Sequence, residues 1–428
     1  MGHEPHEKNA VGERHGPLNA FLPPEPTTGA DKTGSATTMP PLAKRIKRHI
    51  IGKPHDFFAI TAPGFEGLCL SELASLGLTG RAVAGGVEFS GRLHECQLAN
   101  LSLRTASRIL MRIDSFRAIA FRSLEKAASQ FPWELYLPRG TTPKLHVTTR
   151  HCRLHHTDAI AERMVAIICA RLELASPAAA LAPSKLKPQV FVRGVNDRFI
   201  VSIDSSGDNL YLRGIKTHPG RAPLRETMAA AALMRAGFSS AQVLLDPMCG
   251  AGTFSLEAAL MVKNIPPGWY RNFAFTDWPG FRPPRWSHIR RKAAERIQNL
   301  DCPRILASDI DPEACRRLDE CVRRCSLSDA VSVACRDFFK LDPREVTDRP
   351  GLVTLNPPYG RRMGKASESR ELIGSIIGRI RSHYAGWKFI LVVPGGRDLP
   401  DIGLPVQTYP FFHGGLKVEV MVGNVSPA

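Results

Sequence analysis

The chain lacks several features that would settle its class at once. It has no apolar run long enough to span a bilayer and no secretory leader pattern. A cytoplasmic protein without membrane attachment is the expectation. None of its ten cysteines forms a Cys-x-x-Cys pair. That spacing argues against a zinc centre, and no metal is expected. The cysteines read as reduced thiols. No fixed-period repeat is present, which argues against a solenoid. Acidic residues are scarce relative to basic ones: 40 Asp and Glu stand against 57 Lys and Arg, a formal charge of +17 over 428 residues. A balance this basic favours a polyanionic partner through phosphate contacts and counterion release.

The length accommodates two or three domains. Residues 1–54 are rich in Pro, Gly, Thr, His and charge, and read as a disordered basic tail. The tail closes on Lys44-Arg45-Ile46-Lys47-Arg48-His49, which reads as a linker in preference to a phosphate contact. Order is expected from about Asp56. Phe57–Thr61 is strand-like, and Leu68, Leu70, Leu73 and Leu76 suit a helix ended by Gly77. Val83–Phe89 reads as a strand interrupted by Gly85-Gly86, and 98–109 returns to helical spacing. Residues 145–149 alternate as a strand, 157–172 as an amphipathic helix, and 189–193 and 199–204 as strands. This alternation predicts small α+β units and not one large sheet.

The texture changes near Arg213. Leu224–Ala236 reads as a helix ended by Gly237. Apolar strands are predicted at 243–246, 304–308, 331–335, 351–355 and 388–393, mostly separated by helices. Such alternation implies a parallel, doubly wound, Rossmann-like sheet. Residues 406–412 and 417–422 read as an antiparallel hairpin at its edge.

Four strings carry chemistry. In Asp246-Pro247-Met248-Cys249-Gly250-Ala251-Gly252-Thr253 a strand runs through a glycine turn into a helix. It is neither a dinucleotide turn nor a phosphate loop. Asp309 ends the next strand, where an acid can accept both hydroxyl hydrogens of a ribose. Asp311-Pro312 behind it reads as a helix cap. Asp337 follows the third strand and can accept from an adenine amino group. Phe338 or Phe339 can pack on that ring, and Phe338 is placed in the cofactor set. In Asn356-Pro357-Pro358-Tyr359 the Asn356 side-chain oxygen and the Pro357 carbonyl can accept the hydrogens of an aromatic amine. The prolines stiffen the loop and bring no competing N–H. Tyr359 can stack on the target base. Together these strings indicate methyl transfer from S-adenosylmethionine to the exocyclic amine of a nucleobase. Arg150, Arg153, His155 and His156 form a basic, ring-bearing loop suited to RNA. Arg361, with Arg362, follows the reactive loop as a further phosphate contact.

Gly220-Arg221-Ala222-Pro223-Leu224-Arg225-Glu226-Thr227, followed by the Asp246 and Asn356 strings, resembles the THUMP-domain RNA guanine-N2 methyltransferases, most closely the bacterial branch acting on large-subunit rRNA. Pro63-Gly64-Phe65-Glu66, Glu72-Leu73 and Gly85-Gly86-Val87 resemble the ferredoxin-like segment of that family. Residues 103–110, Arg153–Thr157 and Ala161-Glu162-Arg163 resemble its THUMP domain. His156 departs by one position from the family's aromatic–His pair. The resemblance covers about 56–425 and implies a ferredoxin-like segment at 55–96, a THUMP domain at 97–210 and a class I methyltransferase domain at 211–428. Some members carry a second methyltransferase domain, for which this chain to Ala428 is expected to have no room. The implied cofactor residues are Asp246, Pro247, Gly250, Gly252, Thr253, Asp309, Asp337, Phe338 and Asn356. The implied catalytic loop is Asn356 to Tyr359, and the implied substrate is 23S rRNA. Rivals are a tRNA enzyme of the same architecture, an adenine-N6 DNA methyltransferase, and an RNA-binding ribosome-assembly factor without turnover.

Overall fold

The computed structural model describes residues 41–174, 187–216, 224–358, 366–396, 401–413 and 416–427. Its first half runs α1 (Pro41–Ile46), β1 (His55–Thr61), α2 (Glu66–Ser75), β2 (Gly80–Val83), β3 (Gly86–Gly91), α3 (Leu93–Ser102), β4 (Ala106–Arg117), α4 (Phe121–Gln130), β5 (Lys144–Arg150), α5 (Thr157–Leu174), β6 (Gln189–Val195) and β7 (Arg198–Asp204). These strands form one seven-stranded sheet in the order β2-β3-β1-β4-β7-β6-β5. The sequence predicts separate small units, and the sheet corrects that. Strand β4 is the reason: it is 12 residues long and pairs with β1 on one side and β7 on the other. The helical spacing read across 98–109 ends with α3 at Ser102. Residues 106–109 are strand, and the expected boundary after residue 96 falls inside α3.

The basic cluster at 44–49 is also not a linker. It belongs to α1 and a π-helical turn over Lys47–Ile51. Ile46 and Ile50 are buried, and Arg45 pairs with Glu134 at 2.9 Å. Two apolar side chains four residues apart bury against the body while the charges face out.

The second half runs α6 (Glu226–Arg235), β8 (Leu244–Asp246), α7 (Thr253–Val262), α8 (Pro283–Ala294), β9 (Ile305–Asp309), α9 (Pro312–Arg324), β10 (Val331–Cys335), β11 (Leu352–Leu355), α10 (Ala366–His383), β12 (Lys388–Pro394), β13 (Val406–His413) and β14 (Leu416–Asn424). Its sheet has the order β10-β9-β8-β11-β12-β14-β13. The first five strands are parallel, and β14 pairs antiparallel with both β12 and β13. This is the predicted doubly wound sheet with its edge hairpin. Strands β8, β11 and β12 are almost wholly buried, as a parallel sheet covered by helices requires.

The two halves lock together through buried polar contacts. Arg104 donates to the carbonyls of Leu260 (3.3 Å) and Ile265 (2.9 Å). Arg213 pairs with Glu257 at 2.9 Å and donates to the Arg104 carbonyl at 2.7 Å. Such pairs hold geometry more than they add stability. Phe65 meets Phe411 edge-on at 5.1 Å, so the edge hairpin also touches the first half.

Candidate active site

The order of the second sheet reverses between β8 and β11. A crevice outside the carboxyl ends of such strands is where open α/β sheets bind ligands. Four loops converge there, one from each of β8, β9, β10 and β11.

The loop after β8 is tight. The Gly252 amide donates to the Cys249 carbonyl at 2.7 Å, and the Cys249 amide donates to that of Ser308 at 3.0 Å. Gly250 and Gly252 have φ of +50° and +70°, a region that side chains disfavour. A Cβ on Gly252 would also lie 2.2 Å from Leu318, so α9 packs against bare backbone here. A Cβ on Gly250 would meet nothing within 4 Å, leaving this turn open on its outer side.

Asp309 closes β9. Its Oδ2 accepts from the Gly250 amide at 2.8 Å and its Oδ1 from the Asp311 amide at 3.0 Å. Both oxygens are thereby oriented, and each retains a further lone pair for a ribose hydroxyl. Asp311 caps α9, accepting from the Glu313 amide at 2.9 Å, as predicted. Ile310, between them, is 70% exposed. Nothing in the sequence singles it out, because an aliphatic residue at a strand end normally points inward.

Asp337 follows β10 and accepts from the Phe339 amide at 2.9 Å. The ring assigned to the cofactor is not the one on offer. Phe338 is 2% exposed and packs on Tyr384 in the core. Phe339 is 37% exposed, so Phe339 is the ring with a free face. The turn at Asp337 sends successive side chains to opposite sides.

Asp246 and Thr253 also depart from the simplest expectation. Asp246 is 1% exposed, and its Oδ2 accepts from the Ser255 amide (3.1 Å) and hydroxyl (2.6 Å). It ties β8 to the first turn of α7. Burial pushes its carboxyl up to about 6, with Ser255 opposing the shift. Thr253 accepts from Lys216 at 2.7 Å and donates to the Leu224 carbonyl at 3.3 Å, holding the chain that leads into α6. Pro247 is buried. These three build the cradle from behind.

Asn356 stands directly after β11. Its Oδ1 is buried and has no hydrogen-bond partner. An orphaned buried acceptor costs about 1–3 kcal/mol, so its place at a ligand crevice marks it as waiting for a donor. Pro357 is buried and Pro358 exposed. Tyr359, Arg361 and Arg362 lie outside the described residues, as does the 220–223 part of the Gly220 string. Taken together, the cradle fits S-adenosylmethionine, with Asp309 at the ribose, Asp337 at the base amine, and Ile310 and Phe339 as apolar walls.

Arg150, Arg153, His155 and His156 gather in one exposed loop after β5. Leu154 anchors it, 6% exposed. The Arg153 amide donates to Asp197 at 2.7 Å, and the rings of His155 and His156 lie 4.2 Å apart. Among the described residues no group of His, Cys, Asp and Glu has the arrangement of a metal site, and no helix is long and apolar enough to cross a membrane.

Residues 213–402 match the family model of the RMKL-like methyltransferase domain, and residues 56–110 match that of the RlmL ferredoxin-like domain. Two relatives named ribosomal RNA large subunit methyltransferase K/L are similar across most of the chain. That of Methylococcus capsulatus is 30% identical over 389 residues, 87% of this chain and 51% of the relative. That of Cellvibrio japonicus is 32% identical over 396 residues, 87% of this chain and 51% of the relative. The chain thus spans about half the length of the curated relatives it matches. Among solved structures, a possible methylase from Clostridium difficile superposes with TM-score 0.78 at 24% identity, covering 88% of this chain and 99% of that one. SMU.472, complexed with SAH, superposes with TM-score 0.75 at 26% identity and the same coverages. Residues 213–402 are therefore an RMKL-like methyltransferase domain, and the chain belongs to the class I methyltransferase family that joins it to an RlmL-type ferredoxin-like domain.

Proposed function

We propose that this chain transfers a methyl group from S-adenosylmethionine to the exocyclic N2 amine of a guanosine in 23S rRNA, in the cytoplasm, with a THUMP domain at about 97–210 helping to present the RNA. The observation that carries the reading is the buried, unpartnered Asn356 Oδ1 at the switch point of the sheet. The names of the large-subunit methyltransferase relatives, the SAH bound to SMU.472 and the basic charge support it.

S-adenosylmethionine supplies an electrophilic sulfonium methyl. Asp309 accepts from the ribose hydroxyls, and Asp337 accepts from the adenine amine. The guanine amine is a poor nucleophile because its lone pair is delocalised into the ring. Asn356 Oδ1 and the Pro357 carbonyl accept its two hydrogens, which favours a pyramidal nitrogen and returns the lone pair to it. Prolines 357 and 358 keep both acceptors in place and add no donor of their own. The N–C bond forms along the line of the breaking S–C bond, and the nitrogen then loses one proton to solvent. Preorganised acceptors of this kind act without reorganising during the reaction. Tyr359 is the stacking partner for the target base, and Arg150, Arg153, His155, His156 and Arg361 hold RNA phosphates and unstacked bases.

The test is labelled methyl transfer to purified rRNA and, separately, tRNA, followed by nucleoside mass spectrometry. N2-methylguanosine in 23S rRNA is expected. The same product in tRNA alone would move the substrate, and N6-methyladenosine would overturn the base assignment. Cofactor binding with no product on RNA or ribosomal precursors would favour an assembly factor.

A further inference from the structure

Three cysteines meet at the back of the cofactor cradle, and the reaction uses none of them. Cys335 ends β10, stands in register with Asp309 and is exposed. Cys315 lies in the first turn of α9, 7% exposed, with its sulfur 3.5 Å from the Asp309 carbonyl and 3.4 Å from that of Ala334. Cys249 is in the glycine turn, 8% exposed, directly before the Gly250 amide that holds Asp309. The Cys315 side chain hydrogen-bonds with both other thiols. The three sulfurs therefore form a continuous path from the surface to the turn that shapes the site.

We propose that this cluster is a redox modification site, in which a hydroperoxide drives Cys315 and Cys249 to a disulfide that deforms the cofactor cradle. The consequence for the cofactor rests on the methyl-transfer reading; the thiol chemistry does not.

The polarity of the pair sets the order of events. Cys249 donates to Cys315, which holds the Cys315 thiol down at about 7 and pushes the Cys249 thiol up. Elsewhere in the core, burial raises Cys69 and Cys96 to about 12, the behaviour of inert thiols. Cys315 is thus the nucleophile. Its thiolate attacks one peroxide oxygen, the O–O bond breaks, sulfur loses two electrons, and the peroxide is reduced to hydroxide, which takes a proton to become water. Cys249 then attacks the resulting sulfenic sulfur. Its own proton leaves with the displaced hydroxide as a second water, and the S–S bond forms. Cys335 can attack that disulfide in turn and carry the oxidation to the surface by exchange. A bond between Cys249 and Cys315 would draw the glycine turn toward α9, displacing the Gly250 amide from Asp309.

The test treats the full reduced chain with hydrogen peroxide, blocks the remaining thiols and maps the linked peptides. A Cys249–Cys315 peptide should form before the exposed Cys302 is oxidised, vanish with dithiothreitol, and be absent from C315S. The reduced C315S chain should bind S-adenosylhomocysteine as the parent does. The oxidised parent should bind it at least about tenfold more weakly, with recovery on reduction. Should C315S fail to fold, the unaltered chain serves: S-adenosylhomocysteine should slow the alkylation of Cys315 and leave that of Cys302 unchanged. Cys315 reacting no faster than Cys302 would overturn the proposal, as would a disulfide that leaves binding intact. A disulfide in a chain that binds no S-adenosylhomocysteine even when reduced would sink the methyl-donor reading and uphold the thiol site.

Discussion

The two sheets have the same number of strands and do opposite work. The second runs its first five strands in parallel, so four loops leave one edge together and can build a cradle. The first is antiparallel except for the β5–β6 pair, and its loops leave from both edges. Its candidate RNA residues accordingly sit in one exposed loop without a crevice. Parallel topology concentrates chemistry at a point. The antiparallel sheet offers surface.

Within the second sheet, neighbouring residues divide between building the cradle and facing it. Phe338→Ala and Phe339→Ala break that distinction most directly. Loss of the buried Phe338 ring should destabilise the fold by about 3–5 kcal/mol, read by denaturant unfolding. Loss of Phe339 should change stability by about 0.5 kcal/mol or less and weaken S-adenosylhomocysteine binding, read by calorimetry. The reverse pattern would restore Phe338 as the cofactor contact. Asn356→Ala should lower methyl transfer by about 10²–10³-fold while melting is unchanged or improved, since it removes an acceptor that has no partner in the free protein. Full activity in that variant would end the proposed role of the loop.

The buried and exposed carboxylates of the cradle separate by pH. The Asp246 carboxyl is raised to about 6 by burial, above its ordinary 3.8, so folding disfavours its charged form. The penalty is absent below about pH 4, grows between 4 and 6, and is fully present above that. Asp246→Asn keeps an oxygen for Ser255 and removes the buried charge. It should stabilise the fold by about 2–3 kcal/mol at pH 8 and by little at pH 4, measured by urea unfolding at the two values. Equal effects at both would mean that the carboxyl titrates normally.

The same contrast explains what the sequence disclosed. Strands β8 to β12 are legible because parallel strands buried on both faces read as apolar runs bounded by turns. The Asp311 cap and the hairpin of β13 and β14 are local patterns, and they appear as such. Strand β4 is not legible. Its register slips opposite Ile60/Thr61 and again between Arg112 and Asp114, which blurs period-two alternation, and it follows a helix whose spacing runs on into it. Burial of Ile46 and Ile50 depends on tertiary packing, with Ile50 set against Gly280, which no local pattern announces. Choosing between Phe338 and Phe339 needs the direction of a turn, and adjacent identical residues carry no signal for that.

Arg150 and Arg153 mark the other end of the comparison. Both are exposed, and among the described residues no acid forms an ion pair with either guanidinium. Truncating either should therefore leave folding and S-adenosylhomocysteine binding unchanged. RNA affinity should fall a few-fold for each, nearly uniformly across sequences, with the salt slope of binding reduced by about one for every phosphate that is no longer neutralised. Binding titrations at several salt concentrations give that slope directly. A large, sequence-selective drop from Arg150→Ala would instead mean that the loop reads an unstacked base, and that the antiparallel half contributes recognition as well as charge.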